Sequence, residues 1–172
     1  SGVLIFAKSE TAKLSLQERW NETEKTYLAV VHGRLVPPAG TISSYLTENS
    51  SLRVFSTPDP TAGKMAQTEY TTLREAKGFS LLEIDLLTGR KHQIRGNLSK
   101  KGHPVVGDKK YGKKGDGYQW LALHAQSIAF THPATGERLC FETAVPEYFT
   151  RPIGNFRPAS SLARERPGKE PR

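Results

Sequence analysis

Cysteine is almost absent. Cys140 stands alone among 172 residues, so no internal disulfide can form. It lies in an apolar-alternating stretch and reads as a small buried hydrophobe. A chain without disulfides fits a reducing compartment, and a cytoplasmic setting is expected. Metal-ligand spacing is missing too: the five histidines, His32, His92, His103, His124 and His132, are scattered. No apolar run approaches the ~20 residues of a membrane span. No internal repeat occurs, which sets aside solenoid architectures. With 36% apolar and 24% charged residues, the composition is neither that of a membrane protein nor that of a disordered chain. Its length suits one domain with a real core. The sequence opens on Ser1 rather than methionine, and no signal peptide is expected from its first residues. An apolar run, Val3 to Ala7, starts almost at once. It reads as a buried strand, so the chain is expected to be a fragment whose N-terminal part lies upstream.

Acidic residues are missing from one particular stretch. Thr88 to Lys114 carries nine Lys or Arg and a single acid, Asp108, and so nets +8, the charge of the whole chain. The last 22 residues, Arg151 to Arg172, add six basic and two acidic residues, which leaves the remainder slightly acidic. The basicity is therefore local and resembles a phosphate-facing edge. A plain solvated face carries the same charge. The side-chain types favour the edge: His92, Gln93 and Arg95 have hydrogen-bonding groups of fixed geometry, which a merely solubilising loop does not need. The candidate nucleic-acid-facing groups are Arg90, Lys91, His92, Gln93, Lys100, Lys101, Lys109 and Lys110. If Lys91 to Lys101 is a helix, Lys91, Arg95 and Ser99 share one face. Gly96-Asn97, both poor helix formers, predict that this helix is short or kinked.

Along the chain, Ser9 is a candidate cap for a helix whose buried stripe is Ala12, Leu16 and Trp20. Strands are expected at Lys25–His32, Thr41–Leu46, Leu52–Ser56, Ala66–Arg74, Ser80–Leu87, Leu121–Thr131 and Arg138–Thr143. Ala66, Thr68, Tyr70 and Thr72 should share a face. Pro146 to Phe149 is a candidate helical turn. Residues 1–150 read as one domain, and 151–172 as a basic tail expected to be disordered. Many short strands, often adjacent in sequence, with few helices, give an α+β fold with a mixed, largely antiparallel sheet.

Several blocks then recur in a familiar order. They are SGVLIFAKS (Ser1–Ser9), KTYLAVVHG (Lys25–Gly33), KMAQTEY (Lys64–Tyr70), TGRKHQIR (Thr88–Arg95), GHPVVGDKKYG (Gly102–Gly112), LALHA (Leu121–Ala125) and FTHPATGE (Phe130–Glu137). Together they resemble the RluA-type pseudouridine synthases, over about residues 1 to 150. The resemblance implies a pseudouridine synthase fold and the isomerisation of uridine to pseudouridine in ribosomal or transfer RNA. It implies no cofactor and no metal. The family nucleophile is the aspartate of a His-Arg-Leu-Asp motif, which would lie four residues before Ser1 and outside this chain. None of Asp59, Asp85, Asp108 and Asp116 sits in that motif. Two residues carry over: Arg95 matches the arginine that pairs with the nucleophile, and Tyr27 matches the tyrosine that packs on the target base. The fragment alone should be inactive, and a monomer is expected. Two other readings stay open: a non-catalytic RNA-binding domain using the Thr88–Lys114 edge, and a basic protein–protein adaptor. The residues just upstream of Ser1 would separate the enzyme from the binding module.

Overall fold

The computed structural model describes residues 1–50, 53–154 and 156. Its centre is β1 (Glu24–His32), in which Leu28, Ala29, Val30 and Val31 are each at most 1% exposed. A strand with four consecutive buried apolar residues must be covered on both faces. It is flanked antiparallel by β5 (Phe79–Leu86) and β6 (Leu123–Thr131). Beyond β5 come β4 (Lys64–Ala76), β2 (Ala39–Glu48) and β3 (Val54–Thr57), and beyond β6 comes β7 (Arg138–Glu142). The result is one seven-stranded sheet, β3-β2-β4-β5-β1-β6-β7, with every ladder antiparallel. Helices α1 (Glu10–Glu18), α2 (Gln93–Lys100) and α3 (Glu147–Thr150) complete an α+β architecture.

Register decides what shares a face, because residues opposed across a ladder point the same way. Ala66, Thr68 and Tyr70 alternate along β4 and are all buried. Tyr70 opposes Ile84, and Ile84 opposes Tyr27. Helix α2 bonds to Thr68, so it lies on this face, and Tyr27 belongs to it as well. The other face carries Leu28 opposite His124. There the His124 ring meets Phe149 of α3 edge-on, with centroids 6.0 Å apart.

Four expectations are corrected. Val3 to Ala7 is not a buried strand: Gly2 makes a single bridge to Ala125, and Leu4 and Phe6 are 75% and 81% exposed. Strand β7 already occupies the edge of β6 from Ser127 to Thr131, so the N-terminal run can reach only the Leu123–Ala125 end. Only glycine fits at position 2, since a Cβ there would stand 2.4 Å from the Ala125 carbonyl oxygen. Cys140 is exposed, because β7 is an edge strand with no layer over that position. The basic helix spans Gln93–Lys100, so Lys91 precedes it and does not extend the Arg95–Ser99 face. It continues through Gly96-Asn97, where Asn97 is bonded beneath the helix to Thr68 and Ser44. Packing also runs past residue 150: Pro152 is buried, and Ile153, 1% exposed, joins the core. Most of the expected tail lies outside the described residues.

Ala12 and Leu16 of α1 are half-buried, as is Trp20 in the 3-10 turn (Trp20–Glu22) that follows it, and Ser9 caps the helix, its Oγ accepting from the Ala12 amide at 3.2 Å.

Candidate active site

Strand β5 ends at Leu86, and the chain must turn at once to lay α2 back over β4 and β2. Gln93 makes that turn possible. Its side-chain oxygen accepts from the Thr88 hydroxyl (2.8 Å) and the Arg90 amide (3.0 Å). Its amide nitrogen donates to the Gln67 carbonyl (2.9 Å) and Thr68 Oγ1 (3.0 Å). One turn later, Asn97 donates to Thr68 Oγ1 (3.2 Å) and accepts from Ser44 (2.7 Å). These buried amides are satisfied, which the low dielectric of the interior demands. Gln93 was expected at the RNA-facing edge. It lies beneath that edge at 2% exposure, with both ends of its amide engaged.

Arg95 projects from the other side of α2. Its Nε and Nη2 each donate to Asp108 at 2.7 Å, a bidentate pair in which the Asp108 side chain is fully buried and Arg95 is 18% exposed. Burial pushes the Asp108 carboxyl up. Hydrogen bonds from Arg95 and from the Tyr111 and Lys110 amides outweigh this and hold it below the usual carboxylate range. Those amides donate to Asp108 Oδ1 at 2.9 Å each. The same pairing raises Arg95 further above its ordinary value. The guanidinium also lies 4.9 Å over the Tyr111 ring. Two of its five N–H groups are used by Asp108; Nη1 has no partner among the described residues.

Tyr111 is the hub of this corner. Its hydroxyl accepts from the Val54 amide (2.9 Å) and meets His92 Nδ1 at 3.0 Å. Burial, then the nearby Arg95, Lys110 and Lys91, lower the His92 pKa, against the opposing pull of Asp108. Ser99 donates to the Tyr111 carbonyl at 2.6 Å. Arg95 and Ser99 thus do share a face, directed at the 108–111 loop.

The cations fall into three groups around α2. Arg90 and Lys91 precede it, Lys100 and Lys101 end it, and Lys109 and Lys110 follow in the loop. All are exposed except Lys110, which is half-buried like His92. Lys91 is paired with Glu48, and the Arg90 Nε donates to the Met65 carbonyl at 3.2 Å. Tyr27 is half-buried on the same sheet face, and burial pushes its hydroxyl pKa up. No hydrogen bond or ring contact joins Tyr27 to Arg95. Asp108 and Tyr111 were not among the residues singled out by sequence. The Asp-x-x-Tyr spacing was the available signal: Asp108 accepts from the Lys110 amide two residues on, a local bond of the Asx-turn kind, and from the Tyr111 amide one residue further. Among the described residues, no three His, Cys, Asp or Glu side chains are placed to hold a metal ion, and no helix is long and apolar enough to cross a membrane.

A family model described as RNA pseudouridylate synthase matches residues 1–100. An uncharacterized RNA pseudouridine synthase of Bacillus subtilis is 39% identical over 160 residues, covering 91% of this chain and 52% of the relative. Ribosomal large subunit pseudouridine synthase C of Escherichia coli is 32% identical over 173 residues, covering 92% and 54%. The solved structure of human RNA pseudouridylate synthase domain containing 1 superposes with a TM-score of 0.69 at 27% identity, over 81% of this chain and 62% of that one. The chain spans about half the length of these curated relatives. With one extended match across its first 100 residues, and a site-bearing sheet shared with solved members, the chain belongs to the RNA pseudouridylate synthase family, in its RluA-type branch.

Proposed function

We propose that the full-length protein isomerises uridine to pseudouridine in ribosomal or transfer RNA, and that this chain supplies all of the site except its nucleophile. The nucleophile is an aspartate in the segment preceding Ser1. The carrying observation is Arg95: a guanidinium locked by a buried carboxylate on one edge, with Nη1 free on the other. Such a group can hold a second carboxylate ionised and aimed, as covalent chemistry at the ribose requires. Breaking the carbon–nitrogen glycosidic bond, turning the base and forming a carbon–carbon bond to the same ribose, with the base carbon losing a proton and the freed nitrogen gaining one, needs no external reactant. Tyr27, on the α2 face of the sheet, offers a ring on which an extruded uracil stacks. Extrusion itself costs a few kcal/mol, and stacking returns roughly 1–3 kcal/mol. The exposed lysines around α2 take the RNA backbone. Names of relatives such as ribosomal large subunit pseudouridine synthase C support RNA as the substrate. A cytoplasmic setting and a monomeric state go with this reading.

The test is single-turnover isomerisation beside equilibrium RNA binding, in the full-length protein. Arg95→Ala should abolish turnover while leaving affinity nearly unchanged, because the lysines still hold phosphates. Affinity lost in proportion to rate would make Arg95 an RNA contact and favour the non-catalytic binding module. Tyr27→Phe keeps the ring, so binding should survive. A large loss of turnover in that variant would assign the hydroxyl a part in proton transfer. The 172-residue chain alone should form no pseudouridine.

A further inference from the structure

The loop after Asp108 carries features that the site above does not use. Two depressions adjoin along it. One, of about 470 Å³, is lined by Asp108, Lys109, Lys113 and Lys114. The other, of about 400 Å³, is lined by Tyr118, Trp120, Tyr148 and Arg151. They share one wall, Gly117 to Gln119. The first touches the site directly, because Asp108 is the partner of Arg95. The second lies on the α3 side of the sheet, with Tyr148 on that helix and Tyr118 edge-on to Phe79 at 5.9 Å. The loop therefore turns from the α2 face to the α3 face.

Both ends of the loop are pinned. Asp108 holds the start. At the far end, Asp116 accepts from the Gly107 amide (2.7 Å) and the Tyr118 amide (3.1 Å) and meets His32 Nε2 at 3.3 Å. Lys113 and Lys114 are exposed between these anchors, with no ion pair among the described residues. Trp120 is 64% exposed, and its ring is inclined 42° to that of Tyr148, with centroids 6.0 Å apart. An indole left this open, beside a second aromatic ring and an arginine, is a surface with something to cover it.

We propose that the two depressions bind one nucleotide of the RNA strand flanking the target uridine. Its phosphate sits among Lys109, Lys113 and Lys114, and its base stacks on Trp120 with Arg151 at the rim. A nucleotide carries an anion and a flat ring on one sugar. The shared wall sets a cationic hollow and an aromatic hollow side by side in the same way. An apolar protein partner would have no use for the lysine half. The proposal rests on the RNA-modifying reading and adds a contact outside the site of chemistry. It gives the protein a means of reading an unpaired neighbour of the target, since sequence-tolerant stacking selects single-stranded over paired RNA.

The chain has two tryptophans, so Trp20→Phe leaves Trp120 as the sole tryptophan, excited apart from the tyrosines at the red edge of its absorption. Melting curves confirm that each variant folds. The probes are a short single-stranded RNA and an abasic oligonucleotide of equal length and charge. The intact RNA should quench Trp120 and the abasic one should not. In the unaltered background, Trp120→Ala should lose roughly tenfold or more in affinity for the intact RNA and little for the abasic one. Trp120→Phe should recover part of the loss. Replacing Lys113 and Lys114 by Ala should weaken both probes alike and lower the salt slope by about 0.7, the value of one lost phosphate contact. Equal quenching by both probes, or unchanged affinity in Trp120→Ala, overturns the stacking site while leaving RNA binding by the α2 edge intact. If the unsubstituted chain bound neither probe, the RNA reading would fall with it.

Discussion

Asp108 and Arg95 are thirteen positions apart in sequence, yet they form a bidentate ion pair with both contacts at 2.7 Å. Removing the carboxylate strands a guanidinium that is mostly buried. Asp108→Ala should cost about 3 kcal/mol, the low end for a broken buried pair because Arg95 keeps some solvent. In a chain this long, that lowers the melting temperature by roughly 6–12 °C. The carboxyl is depressed in the folded state, so its contribution is complete above the unfolded value near 3.9. It fades as pH falls through the still lower folded value. Denaturant titrations between about pH 5 and pH 2 should therefore show an acid-side loss of stability that is smaller in Asp108→Asn. A loss of equal size in both would mean that other carboxylates govern the acid limb.

At the scale of elements, α2 is held to the sheet by amides rather than by a broad apolar stripe. Ile94 and Leu98 face the core, but Gln93 and Asn97 fill the remaining buried positions. Asn97→Leu would leave the Thr68 and Ser44 hydroxyls short of a partner, at a cost of roughly 1–3 kcal/mol, checked by urea unfolding. Its neighbour predicts the opposite sign. Gly96 has ordinary helical geometry, and a Cβ there would meet nothing within 4 Å. Gly96→Ala should stabilise by about 0.5–1 kcal/mol. If that substitution slowed turnover in the full-length protein, flexibility of α2 would have a part in the reaction.

Over the whole molecule, charge is segregated. The lysines gather around α2 and its following loop, while Glu69, Glu83 and Asp85 line a groove of about 220 Å³ in the sheet. An RNA strand should avoid that acidic groove. Replacing Lys100, Lys101, Lys109 and Lys110 by Ala should flatten the plot of log affinity against log salt, by about 0.7 per lost phosphate contact on a single strand. An unchanged slope would show these four to be solvated and idle.

Local pattern was enough for most of the strands, because a two-residue period needs only neighbouring residues: Ala66, Thr68 and Tyr70 alternate inward as the sequence implies. It was enough for the Ser9 cap, which bonds three residues ahead. The motif blocks singled out Arg95 and Tyr27 as candidates, and the charge count singled out the basic edge. Burial of Gln93 was not legible, because an amide reads as a surface group until a sheet is placed under it. Exposure of Cys140, Leu4 and Phe6 was not legible either, since it depends on which strand occupies which edge. The partner of Arg95 within this chain was decided by the fold alone. The return from α2 through Gly102 to Gly107 carries Asp108 back against the helix, and no spacing rule spans that loop.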